Sequence, residues 1–141
     1  MKLKIKIKNI YSIINKIYRN NPNIKIHKFD KNLGKNSAYN KAYEISTGDY
    51  ICIFGADDVV IPNRTIKMLE KSIKNKKAVY GGLIIKNYNL IEEFSRKIPV
   101  LPSLYEISMF NFLSGGCVLI PRNFCTNIFP IPENLKFEDW W

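Results

Sequence analysis

The sequence predicts an α/β domain in which a mostly parallel sheet is flanked by helices, and three features carry that prediction. Tyr50-Ile51-Cys52-Ile53-Phe54, bounded by Asp49 and Gly55, is a short apolar run. Such a run fits a central strand buried on both faces. Stretches of period two alternate along the chain with stretches of helical period. The connections between them, such as Asp30 to Asn36 and Thr47-Gly48-Asp49, are short and polar and contain glycine.

Taken in order, Lys2 to Lys8 alternates strictly, with Leu3, Ile5 and Ile7 on one face and lysines on the other. It reads as a half-exposed strand at a sheet edge, where lysines discourage stray pairing. Ile10, Ile13, Ile14 and Ile17 then recur at helical spacing, predicting an amphipathic helix that ends near Asn20-Asn21-Pro22. Asn23 to Phe29 returns to alternation and is read as a second strand. Ser37 to Ile45 is predicted helical, closed by Thr47-Gly48-Asp49.

After the run at Tyr50, Pro62 marks the start of a basic helix with Ile66, Leu69 and Ile73 along one side, ending around Asn75 to Lys77. Ala78 to Asn87 reads as a strand with Gly81-Gly82 inside it, a place for a bulge or close backbone approach. Tyr105 to Leu113 is a short helix candidate. Ser114-Gly115-Gly116 leads into the strand Cys117 to Ile120, which Pro121 stops. Asn123 to Phe129 forms a helical turn, and Pro130 and Pro132 carry an extended segment to Glu138-Asp139-Trp140-Trp141.

With 141 residues the chain suits one domain, and 46% hydrophobic and 13% aromatic content argue against disorder. The formal charge of +10, from 22 Lys plus Arg against 12 Asp plus Glu, predicts attraction to polyanions. The lysines are dispersed among Asn and Ile, with no long basic run or stacking-aromatic motif, so no specific nucleic-acid partner is expected. Cys52, Cys117 and Cys125 are odd in number and lack metal-site spacing, which suits reduced thiols and a cytoplasmic setting. No window reaches the roughly 20 apolar residues of a membrane-spanning helix. Any membrane contact is therefore expected to be peripheral.

The run at Tyr50 ends at Gly55-Ala56-Asp57-Asp58. Carboxylates fixed at the C-terminal end of a sheet strand can hold a hard cation, Mg²⁺ or Mn²⁺, against phosphate oxygens. The same pair also reads as ordinary turn chemistry. Glu138 and Asp139 are a second acidic pair, which reads either as a site or as the N-terminal cap of a helix. Asn32, Gly34 and Lys35 precede a helix N-terminus, a natural anion site, and also serve as a plain connection. Gly115 and Gly116 let main chain approach a ligand closely or simply make a tight turn. His27, the one histidine, sits in strand alternation and is read as structural.

Three segments taken together resemble the family 2 glycosyltransferases that use nucleotide sugars. They are Asn32-Leu33-Gly34 with Ala38 and Asn40, Thr47-Gly48-Asp49-Tyr50-Ile51 running into Asp57-Asp58, and Ser114-Gly115-Gly116 followed by Glu138-Asp139-Trp140. The resemblance implies a GT-A, Rossmann-like fold and inverting transfer of a sugar from a nucleotide-sugar donor to the hydroxyl of a glycan or lipid-linked acceptor. It implies that Asp57 binds Mg²⁺ or Mn²⁺ at the donor diphosphate, with Asp58 in support. Asp139 is then the catalytic base beside Glu138, and Asn32, Gly34, Lys35, Gly115 and Gly116 line the donor. Surface polysaccharide or glycan synthesis at the inner face of the membrane is the expected setting.

The sequence also departs from the family. Gly55 stands where the family's D-x-D element has its first Asp. The opening strand with its nucleotide-binding loop, and the acidic turn after the second strand, have no counterpart here. Residues 1–141 are accordingly read as a single partial catalytic domain, incomplete at the N-terminus and short at the C-terminus, with a place for a partner chain that completes the fold. The alternative reading is a truncated, non-catalytic remnant that binds polyanions or a partner.

Overall fold

The computed structural model of the chain describes residues 10–55, 58–87, 92–96, 103, 105–106 and 115–136. The strand expected at Lys2 to Lys8 lies outside them. Helix α1 (Ile10–Tyr18) forms where isoleucines recur at helical spacing, yet none of its residues is buried. The alternating stretch 23–29 is a correction to the sequence reading, because no strand ladder includes it. Period two decides which side chains share a face, but a strand also needs a neighbour for its backbone groups. The tie found here uses a side chain, with Lys25 Nζ donating to Ile45 O at 2.6 Å.

Helix α2 (Gly34–Ile45) starts three residues before Ser37. Its entry is a tight turn in which Gly34 N–H donates to Asn32 Oδ1 at 2.9 Å, with Gly34 at a φ of 86°. That backbone conformation favours glycine over any residue with a Cβ. Strand β1 (Tyr50–Ile51) follows, and then α3 (Arg64–Asn75), whose ends are marked by left-handed Asn63 and Lys76. The single strand expected from Ala78 to Asn87 is split at Gly81-Gly82 into β2 (Val79–Tyr80) and β3 (Leu83–Lys86). Strand β3 forms a separate antiparallel pair with β4 (Glu92–Arg96), with an irregularity between Ile85 and Lys86. Ser103 and Glu106 cap each other reciprocally at the start of the helix expected from Tyr105. A 3₁₀ turn (Gly115–Cys117) leads into β5 (Val118–Pro121), and a second 3₁₀ helix (Arg122–Asn127) follows it.

The central sheet has the order β1-β5-β2, and both of its ladders are antiparallel. The expected mostly parallel sheet is thus not what the described hydrogen bonds form. The reason lies in the order of strands. Strands β1 and β2, joined through α3, point the same way, but β5 inserts between them and runs opposite to both. The run from Tyr50 is also less enclosed than expected. Ile51 is buried, Cys52 and Ile53 are half-buried, and Phe54 is exposed.

The core sits where α3 covers β5 and β2, and Met68, Ser72, Cys117 and Leu119 are buried there. Cys125 and Ile131 extend it beneath the second 3₁₀ helix. Burial pushes the Cys125 thiol above its ordinary pKa, against the opposing pull of the Arg122 charge. Helix α2 is tied on largely by polar groups. Arg122 donates to Gly48 O and Ser46 Oγ and lies over the Tyr43 ring, which stacks on Phe129 at 4.2 Å.

Candidate functional site

The apolar run leaves the sheet at Ile51 and delivers Gly55 and Asp58 to its C-terminal end. There the chain closes a turn. Gly55 N–H donates to Asp58 Oδ2 at 2.9 Å, while Asp58 N–H donates to Gly55 O at 3.3 Å. The turn faces the 3₁₀ element before β5, because a Cβ built on Gly116 would stand 2.9 Å from Asp58 Oδ2 and 3.8 Å from Ile53 O. A glycine is therefore required at 116 by contact, not by backbone angle. Two segments far apart in the chain meet through a carboxylate and a bare main chain.

Arg64, on the first turn of α3, braces this junction. Its Nη2 donates to Gly116 O, its Nη1 lies 3.9 Å from Cys52 Sγ, and its guanidinium sits over the Phe54 ring at 5.2 Å. Cys52 Sγ in turn donates to Val118 O at 3.0 Å. Nothing in the local sequence singles out Arg64, since its partners lie on a different segment. Beside the junction is a cavity of about 300 Å³ whose wall includes Tyr39, Tyr43, Tyr50, Cys52, Phe54 and Phe129, with no charged side chain. That volume lies at the small end of ligand cavities.

Of the expected site residues, Asp58 and Gly116 are in contact and Gly115 precedes in the same 3₁₀ turn. Asn32 and Gly34 engage each other through a single hydrogen bond, which does not involve Asp58. Lys35 is exposed on the first turn of α2. Asp57, Glu138 and Asp139 lie outside the described residues. The residues that sequence reasoning undervalued are Asn36 and Asn40. Asn40 Nδ2 donates to Ile131 O at 2.8 Å while its Oδ1 accepts Ile131 N–H at 2.7 Å. Asn36 Nδ2 donates to Pro132 O at 2.9 Å and Leu135 O at 2.8 Å. Helix α2 thereby fastens the segment that leads toward Glu138 and Asp139. Spacing of four residues put both asparagines on one helix face, which was the available signal.

The fit of a divalent cation rests on the donor set. Among the described residues no group of three or more His, Cys, Asp and Glu side chains surrounds a point. Asp58 forms no ion pair with another described residue, and one carboxylate oxygen is left beyond the Gly55 bond. A single carboxylate edge with hard oxygen chemistry suits Mg²⁺, which is commonly held by one or two carboxylates together with water and substrate phosphates.

Comparison with known proteins places the chain. Residues 7–128 match the family described as Glycosyl transferase family 2, and the chain belongs to that family. It is 32% identical over 92 residues to an uncharacterized glycosyltransferase of Methanocaldococcus jannaschii, a match covering 62% of this chain and 31% of that protein. The chain thus spans about a third of the length of that relative. No solved structure matches it. Among the described residues no helix is long and apolar enough to cross a membrane.

Proposed function

We propose that the chain is a single partial catalytic domain of GT-A type, from a protein that transfers a sugar from a nucleotide-sugar donor to a hydroxyl of a glycan or lipid-linked acceptor, with inversion, in surface polysaccharide or glycan synthesis. The observation that carries this reading is the seat of Asp58 against Gly116, which joins two of the three family-like segments at the C-terminal end of a sheet strand. Ligands of open α/β sheets bind at that end.

In this reading Asp57, with Asp58 in support, would hold Mg²⁺ or Mn²⁺, which when bound would offset the charge that develops on the departing diphosphate. Asp58 is pre-set by the Gly55 N–H bond to Oδ2, which leaves Oδ1 for a ligand. Main chain at Gly115 and Gly116 lets the sugar approach closely. Asn32, Gly34 and Lys35 present the positive end of α2 to the donor. Asp139, next to Glu138, takes the acceptor proton as the hydroxyl oxygen attacks the anomeric carbon. Asn36 and Asn40 fasten residues 131–135, the described stretch that precedes Glu138 and Asp139 in the sequence.

The test is calorimetry of the full chain with a panel of nucleotide sugars, with and without Mn²⁺. The expected outcome is Mn²⁺-dependent binding of one donor class that Asp57→Ala abolishes. Donor-independent heats, or an Asp57→Ala protein that titrates like the parent, reject the reading.

A further inference from the structure

We infer that the outer face of α3, together with the Val59-Val60-Ile61 segment before it, docks on an anionic lipid bilayer. Helix α3 turns Met68 and Ser72 into the protein. At about 100° per residue Ile66 and Ile73 form one exposed stripe and Lys67, Lys71 and Lys74 another, on either side of the exposed Glu70 that lies opposite the buried pair. Both isoleucines are well exposed, at 57% and 59%, and Val59 is 82% exposed. Arg64 N–H donates to Ile61 O at 3.1 Å, so the exposed valines and Ile61 are joined directly to the N-terminal end of the helix.

A solvated helix face gains nothing from isoleucines in water, and three lysines on one stripe repel each other. Placed on an anionic surface both costs reverse. The aliphatic side chains leave water at the headgroup boundary, and each lysine meets lipid phosphate. Glu70 lies between the two stripes and is outnumbered three to one by the lysines. The exposed side chains are aliphatic, which favours a bilayer over nucleic acid, where stacking aromatics and arginines do the work.

Docking in this way has a consequence that rests on the proposed function. Asp58 immediately precedes Val59, so the carboxylate would be held near headgroup level, where a lipid-anchored acceptor presents its hydroxyl. The docking itself needs no donor and no turnover, so its failure is distinguishable from failure of the catalytic reading.

The experiment is co-sedimentation of the full chain with phosphatidylcholine vesicles, with and without phosphatidylglycerol, at low and high salt. Retention is expected on the anionic vesicles alone and is expected to fall as salt rises. The triple substitution Lys67→Gln, Lys71→Gln, Lys74→Gln is expected to weaken it about a hundredfold, since each basic group near an anionic surface contributes about fivefold. Val59→Ser with Ile66→Ser leaves charge unchanged and is expected to weaken it about tenfold. These positions are exposed, and circular dichroism checks that each variant keeps its fold. Absence of retention on anionic vesicles, equal retention on neutral ones, or indifference to either set of substitutions overturns the inference. So does tighter binding to a duplex DNA oligonucleotide that responds to the lysine changes and ignores the aliphatic ones.

Discussion

Asp58 and Gly116 define each other. The carboxylate has one oxygen held by Gly55 N–H, so it cannot swing aside freely when a methyl group appears 2.9 Å away. Gly116→Ala must therefore displace Asp58 or the turn that carries it. The expected outcome is a protein of nearly unchanged circular dichroism whose Mn²⁺-dependent donor binding in calorimetry is weaker by about tenfold, the loss of roughly one hydrogen bond to a charged group. Unchanged affinity would mean that the contact plays no part in the site. The glycine pair and the acidic pair were each legible in the sequence. Their meeting was not, because nothing in a one-dimensional pattern says which of two turns faces the other.

At the scale of elements, α2 is the part whose role changed most between sequence and structure. Its spacing announced a helix, and the charge-bearing first turn suggested an anion site. What the structure adds is a polar seam in which Asn36 and Asn40 reach the backbone of residues 131–135. A side-chain amide paired with one residue's N–H and C=O contributes about 1 kcal/mol per bond, and leaving both backbone groups unpaired costs a similar amount again. Asn40→Ala is expected to lower the free energy of unfolding by about 2–3 kcal/mol, measured as a shift of the urea midpoint at constant m-value. A smaller loss than about 0.5 kcal/mol would place the seam outside the cooperative core. The alternating stretch 23–29 failed as a strand for the complementary reason. Periodicity reports amphipathic faces, while a ladder depends on a neighbour that local sequence does not reveal.

Across the whole molecule, burial is uneven. The layer of α3 on β5 and β2 contains Met68, Ser72, Cys117 and Leu119, whereas α1 buries none of its nine residues. Isolated helices of that length are marginal in water. Native-state hydrogen exchange is expected to show the slowest amides in β5 and the middle of α3 and the fastest helical amides in α1, with α2 between them. Protection of α1 equal to that of β5 would require an apolar cover on Ile13 and Ile17 and would contradict this ranking.

The amino-acid sequence by itself determined approximately where α1, α2 and α3 lie, the apolar run that ends at Asp57-Asp58, the glycine pair before β5 and the family to which the chain belongs. Each of these is written in neighbouring residues, as periodicity, turn chemistry or motif spacing. Only the tertiary structure decided that β5 comes between β1 and β2, that Arg64 braces Gly116 from a third segment, and that asparagines on α2 hold residues 131–135. Those facts depend on which distant surfaces bury each other, and that is a property of the folded chain as a whole.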